Sequence, residues 1–338
     1  MACKVMTDRS SIKPKSKIDM TPASYSSAFL LMAFGMLTIP IMDVIAKMLA
    51  VNGMPGTQVA LARFIGQGVF TLVLLPLAII LVPGIFIGEL SIQGKSTLGR
   101  FWADLRLAWT KTNLARGVAL AGATACFFTG LATLPLPASA AILFLAPLIL
   151  TLLGGLVLKE HLTFRRVALC VAGFPCVLLI VRPGFDGLGW DAIYPLAAAF
   201  LFAIYFLFTR MASGKGSPLS MHFVAAASGT GVLALWLYAG NAVTDSAQIT
   251  WPTEVSAWMA LASLGVISTI AHMAIIVAFA RAPASVLAPL NYLEIVSATA
   301  LSFIVFGTLP DEWTVIGAIL IMAIGYAATR AEKKSIRR

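Results

Sequence analysis

Charge is what this chain has least of. Asp, Glu, Lys and Arg together make up 11% of its 338 residues, against 59% apolar side chains. A soluble domain carries about 25% charge because water must solvate its surface. A water-covered globule is therefore excluded, and lipid is expected against most of the outer surface. Cysteine is also scarce. Of the four, Cys3 lies in the N-terminal stretch and Cys126, Cys170 and Cys176 lie inside apolar segments. They offer neither metal spacing nor a disulfide framework, and the three inner ones read as small buried residues. The three histidines, His161, His222 and His272, contain no pair at metal-ligand spacing, so no metal and no cofactor is expected. A Walker-type phosphate loop is lacking, which argues against ATP as an energy source. No cleavable signal is evident: the first 24 residues are polar and basic, and the apolar run after them is long enough to span a bilayer. The first helix is expected to be retained.

Acidic residues are outnumbered, 14 against 24 basic, for a net charge of +10. Such an excess suggests nucleic acid until its distribution is considered. A bilayer core of about 30 Å takes roughly 20 apolar helical residues. Runs of that kind fall at 26–49, 57–82, 115–134, 138–158, 166–182, 190–210, 218–240, 256–280, 285–307 and 312–330. With the N-terminus inside, only Lys47, Arg63 and Arg182 lie in or near the outer side, and 21 of the 24 basic residues are cytoplasmic. The outer loops hold Asp186, Asp191, Asp245, Glu254, Asp311 and Glu312 instead. This is the positive-inside bias. The fold class expected is an all-α polytopic membrane protein of ten transmembrane helices, both termini cytoplasmic, and the excess charge is an orientation signal. The long inner loop at about 83–114 holds Trp102 and Trp109. Its stretch Leu98 to Trp109 reads either as a short interfacial helix or as a solvated linker.

A phrase recurs. Pro137-Ala138-Ser139 and Pro283-Ala284-Ser285 stand 146 residues apart, each opening an apolar segment that carries a further proline, Pro147 or Pro289. Both open the fourth helix of a five-helix half. Five is odd, so the halves are expected to be inverted relative to each other. The organisation is a tail at 1–25, a first repeat at 26–182, a second at 190–330 and a basic tail at 331–338. Interrupted helices at corresponding places of inverted halves point to a transporter's binding site.

The segment from Ala138 through Ala146-Pro147 to Leu158-Lys159-Glu160, with Arg165, Gly173 and Arg182-Pro183, resembles the drug/metabolite transporter superfamily, in particular proteins with two EamA-type domains. So do Pro283-Ala284-Ser285, Ala288-Pro289, Asn291-Tyr292-Leu293-Glu294 and Phe306-Gly307 in the second half. The resemblance spans roughly 28–330. Two positions depart from the family's pattern: Thr308 stands where members often have Glu after Gly307, and Ile295 where they often have Pro. The pattern Asp43-x-x-x-Lys47 followed by Gly53-x-Pro55 and Arg63 is similar to bacterial carriers for riboflavin or S-adenosylmethionine uptake.

Ionisable groups inside a membrane are costly and usually face a cavity or a partner. Glu294 lies about ten residues into its expected span, near the midplane at about 1.5 Å per residue, with Asn291 a turn earlier on the same face and Tyr292 turned aside. These three are candidates for substrate binding or proton coupling; the plainer alternative for Glu294 is a hydrogen bond to another helix. Asp43 and Lys47 are spaced i,i+4 and can share a face, and Arg63 stands in the next helix. They form either a structural ion pair or an outer gate. His272 could titrate or could be a hydrogen-bonded core residue. Pro147 and Pro289 each remove a helix hydrogen bond and expose carbonyls. Gly117, Ala121, Ala125, Thr129 and Thr133 form a small-residue stripe that lets another helix approach closely. Phe127, Phe128 and Phe144 read first as lipid-facing.

The function expected is a non-enzymatic secondary active transporter of a small organic metabolite, working by alternating access and coupled to protons or to exchange. An amino-acid or drug efflux carrier of the same superfamily is the alternative. An intramembrane lipid-modifying enzyme would need clustered His, Asp or Cys at one interface, and a channel would not need a charged midplane site in inverted halves. The partners expected are the substrate, the lipid bilayer and, as one option, a second copy in a homodimer, with no nucleic acid. The location expected is a bacterial inner membrane.

Overall fold

In a computed structural model, the described residues are 22–81, 97–158, 164–181, 188–212, 216–243, 249, 251–281, 290 and 293–336. Among them every regular element is helical: α1 (Pro22–Val51), α2 (Gly56–Leu81), α3 (Thr97–Ala108), α4 (Lys111–Leu131), α5 (Leu136–Leu143), α6 (Leu145–Val157), α7 (Phe164–Val181), α8 (Ile193–Met211), α9 (Pro218–Val243), α10 (Val255–Arg281), α11 (Leu293–Phe306) and α12 (Glu312–Ile336). Each expected apolar run overlaps at least one of these helices, several of which extend past its bounds. Among the described residues, six segments are long and apolar enough to cross a bilayer: Ser26–Val51, Lys111–Leu131, Leu136–Val157, Trp190–Thr209, Pro218–Ala239 and Val255–Ala278. Large apolar side chains lie on their outer faces, among them Phe29, Leu30 and Phe34 on α1 and Leu235 and Trp236 on α9. Water would not tolerate that surface, and hydrocarbon does. The chain is a multi-pass membrane protein.

Local chemistry sets the breaks. Leu136–Val157 is interrupted at Phe144, three residues before Pro147. Proline has no N–H to offer the carbonyl four residues back, and its ring presses on it; that carbonyl belongs to Leu143, the last residue of α5. Gly53 closes the α1–α2 turn with φ of +88°, a conformation glycine adopts without Cβ strain. Thr110 caps α4, its hydroxyl accepting from the Asn113 N–H at 3.3 Å. The stretch 97–108 is helical. It is tied to α9 by the buried Asp104, which accepts the Ser217 N–H at 2.9 Å and the Ser217 hydroxyl; Ser217 in turn caps that helix, its hydroxyl accepting the Ser220 N–H at 3.3 Å.

The helices pack as a set of pairs. α4 lies on α8 and α1 on α10; α2 contacts α10, α9 and α4; α9 contacts α4; α7 lies on α12; α1 meets α11, α6 meets α8, and α5 meets α11. The largest core joins α1, α2, α4 and α5 to one or two positions on each of α8–α11, with Phe64, Leu120, Phe128 and Leu131 fully buried. Phe127 and Phe128 thus face this core and not lipid, a correction to the sequence reading: α4 is ringed by α2, α8 and α9, so both rings meet protein. Phe144 is half-buried. Glycines allow the closest crossings. Gly66 of α2 meets Gly265 of α10, and Gly117, the first member of the α4 stripe, meets Ala225 and Ser228 of α9.

Candidate substrate site

Polar side chains gather where α1, α2, α4, α9 and α10 meet. Arg63, only 2% exposed, donates through Nε to Ser268 Oγ at 3.1 Å and through Nη1 to Thr124 Oγ1 at 2.5 Å. Each hydroxyl has its own proton committed elsewhere. Thr124 donates to the Leu120 carbonyl at 2.9 Å and Ser268 to Gln67 Oε1 at 3.4 Å. Both oxygens therefore present lone pairs to the guanidinium and fix its orientation. Gln67 passes the chain on, its amide donating to the His222 carbonyl at 3.3 Å and lying 3.5 Å from His222 Nδ1.

The histidines close the network. His272 Nδ1 lies 2.8 Å from the Ser268 carbonyl; only an Nδ1–H can donate there, which leaves Nε2 bare in the neutral ring. The His222 and His272 ring centroids are 5.8 Å apart. Arg116 of α4 donates to the Met221 carbonyl at 3.2 Å and lies over the Tyr205 ring at 5.3 Å. A buried hydrogen-bond path thus runs from Arg63 to the start of α9.

Two carboxylates border this network. Asp43, buried on α1, is within electrostatic reach of both Arg63 and Glu294. Glu294 is half-buried and stands in the first turn of α11. Lys47 does not turn to Asp43. Its ammonium donates to the Leu134 carbonyl at 2.6 Å and lies 5.3 Å over the Phe306 ring. That bond ties the end of α1 to the α4–α5 turn, and Gly56 packs on Thr129 and Phe128 beside it.

The structure therefore gathers Asp43, Arg63, Glu294 and His272 in one region, with Lys47 at its edge. Pro147 is exposed, away from them. Asn291, Tyr292 and Pro289 lie outside the described residues. Sequence reasoning missed Gln67, Thr124, Ser268 and His222 as members. A signal existed for two of them: Arg63, Gln67 and Thr71 follow one another at four-residue steps on α2, and Ser268 and His272 do so on α10.

A family model, the EamA-like transporter family, matches residues 189–327. That match falls in the second half of the chain. The chain is similar to a riboflavin transporter of Vibrio cholerae, 28% identical over 198 residues. That match takes in 59% of this chain and 64% of the relative, just under two thirds of its length. It is also similar to an S-adenosylmethionine uptake transporter of Rickettsia prowazekii, 25% identical over 229 residues, 65% of this chain and 72% of that one. A solved crystal structure shares the fold at a TM-score of 0.58 and 18% identity, over 93% of this chain and 99% of its own. The part of the chain that this family model matches contributes His222, Ser268, His272 and Glu294 to the candidate site. Asp43, Arg63, Gln67 and Thr124 come from the part of the chain before it, so the site is shared between the two halves.

Proposed function

We propose that this protein is a secondary transporter that carries a small polar metabolite across a bacterial inner membrane, by alternating access between two inverted five-helix halves with both termini cytoplasmic. The observation that carries this reading is the buried charged network itself. Arg63 and Asp43 are buried and Glu294 is half-buried, on helices from both halves. Charged groups at membrane depth are expensive and are retained where a polar cargo or ion passes. Packing supports the repeat. With α5 and α6 counted as one segment, shifting every spanning segment by five turns the pair α1–α10 into α8–α4, α2–α10 into α9–α4 and α1–α11 into α8–α6. The pairs α2–α9, α7–α12 and α5–α11 map onto themselves, as a two-fold axis in the membrane plane requires.

In this reading Glu294 and Asp43 take the cation or the coupling proton, and Lys47, held by the Leu134 carbonyl and resting on Phe306 of the second half, closes the outer end until the two halves rock. Riboflavin and S-adenosylmethionine, the cargoes in the names of relatives, are the first compounds to test, in the direction of uptake. The test is uptake into proteoliposomes with and without an imposed pH gradient, comparing wild type with Glu294→Gln. Saturable uptake that is lost in a variant still recovered as folded protein is the expected result. Uptake by Glu294→Gln at the wild-type rate, and with wild-type response to the gradient, would remove Glu294 from the mechanism.

A further inference from the structure

We infer that the cargo carries a carboxylate together with a cationic group, and that Arg63 grips the carboxylate while Asp43 and Glu294 face the cation. This rests on the transporter reading and specifies what that site selects. A guanidinium has five N–H donors in a rigid fork, and a carboxylate matches that fork with two parallel bonds. Arg63 commits two donors, to Ser268 and Thr124, which leaves three. Both partners are neutral hydroxyls. Asp43 acts on Arg63 through space and is not its hydrogen-bonded counter-ion, so the group is built unlike a structural ion pair. In such a pair the carboxylate itself would take the short bonds.

The hydroxyls also explain why the fork is fixed. Thr124 is anchored through Leu120 on α4, and Ser268 is anchored through Gln67 on α2. Three helices thus hold one guanidinium in a single orientation, and preorganisation of this kind lowers the cost of binding. Asp43 on α1 is within electrostatic reach of both Arg63 and Glu294 on α11, so the region that holds the guanidinium also holds acidic side chains. Lys47 is not their partner, because its ammonium is committed to the Leu134 carbonyl and the Phe306 ring. One guanidinium and two carboxylates in one region suit a zwitterion. A cargo without charge would leave all three groups desolvated and unmatched.

The experiment uses the full chain in proteoliposomes and three probes: S-adenosylmethionine, its decarboxylated form, which lacks only the carboxylate, and riboflavin, which is uncharged. The wild type is expected to half-saturate with S-adenosylmethionine at a concentration at least tenfold below that for the decarboxylated form. Arg63→Gln is expected to bring that ratio near one, with Arg63→Lys between the two. Ser268→Ala, a milder change, shrinks the same ratio severalfold and keeps the test open if Arg63→Gln does not fold. Equal handling of both forms by the wild type, or a variant that weakens both alike, overturns the inference. Saturable movement of riboflavin alone overturns it and leaves the transporter reading standing. Failure of all three probes to bind or move overturns both.

Discussion

Removing the two hydroxyls that hold Arg63 should show that they act as one unit. Ser268→Ala deletes the acceptor of Arg63 Nε and the donor to Gln67 Oε1. Thr124→Val keeps the side chain's shape and deletes the acceptor of Nη1. A hydrogen bond to a charged group is worth about 1.5–3 kcal/mol in water-soluble proteins, while polar contacts between membrane helices average about 0.6 kcal/mol, with a maximum near 1.7. The burial of Arg63 sets this pair toward the upper end of the membrane range, about 1–2 kcal/mol for each single variant. Because both bonds position the same guanidinium, the losses should not add. Once one hydroxyl is gone the fork can turn toward the remaining partner or toward Asp43, so the second deletion costs less, with a coupling of about 0.5 kcal/mol or more. The assay is reversible unfolding in mixed detergent micelles for wild type, both single variants and the double variant. Losses that add within about 0.3 kcal/mol, or single losses indistinguishable from zero, would refute the idea that these hydroxyls orient Arg63.

Three further outcomes follow from the packing. Gly265→Ala places a methyl against the backbone of Gly66 and Gln67, where nothing flexible can yield, so the α2–α10 crossing must open. A thermal-stability loss of about 1–3 kcal/mol, the usual cost of overpacking, is expected, whereas Gly231→Ala, with open space around it, should be neutral by the same measurement. Asp104→Ala removes the carboxylate that holds Ser217, the cap residue of α9, and should cost about 1.5–3 kcal/mol in the same unfolding assay, with greater proteolysis around residue 216. Lys47→Met unties α1 from Leu134; a cysteine placed at Thr133 should then react faster with a membrane-impermeant thiol reagent applied from outside, and an unchanged rate would count against the gate.

The helical framework was legible because apolar runs of span length leave little choice of structure in a bilayer. Breaks were legible where proline causes them, as at Phe144 ahead of Pro147. The surroundings of Glu294 were not: hydropathy carries no trace of its electrostatic proximity to Asp43 on another helix. Within the site, the i,i+4 stripe of Arg63, Gln67 and Thr71 was open to inspection. Its partners were not, since Ser268 stands 205 residues away and no periodicity on one helix specifies which neighbour its polar face meets. Lys47 shows a further limit. The spacing to Asp43 suggested a pair, but the partner is a backbone carbonyl at a turn, and every residue type carries one.

The central claim is that a cargo crosses by binding between the two halves, and counterflow tests it most directly. Proteoliposomes are preloaded with unlabelled S-adenosylmethionine or riboflavin and diluted into a trace of the same compound in labelled form. The account predicts a transient accumulation of label above equilibrium for at least one compound, saturable with concentration and reduced at least tenfold in Glu294→Gln. Label that enters only to equilibrium at a rate linear in concentration would mean a channel. Label that does not enter tight vesicles for either compound would contradict the carrier account.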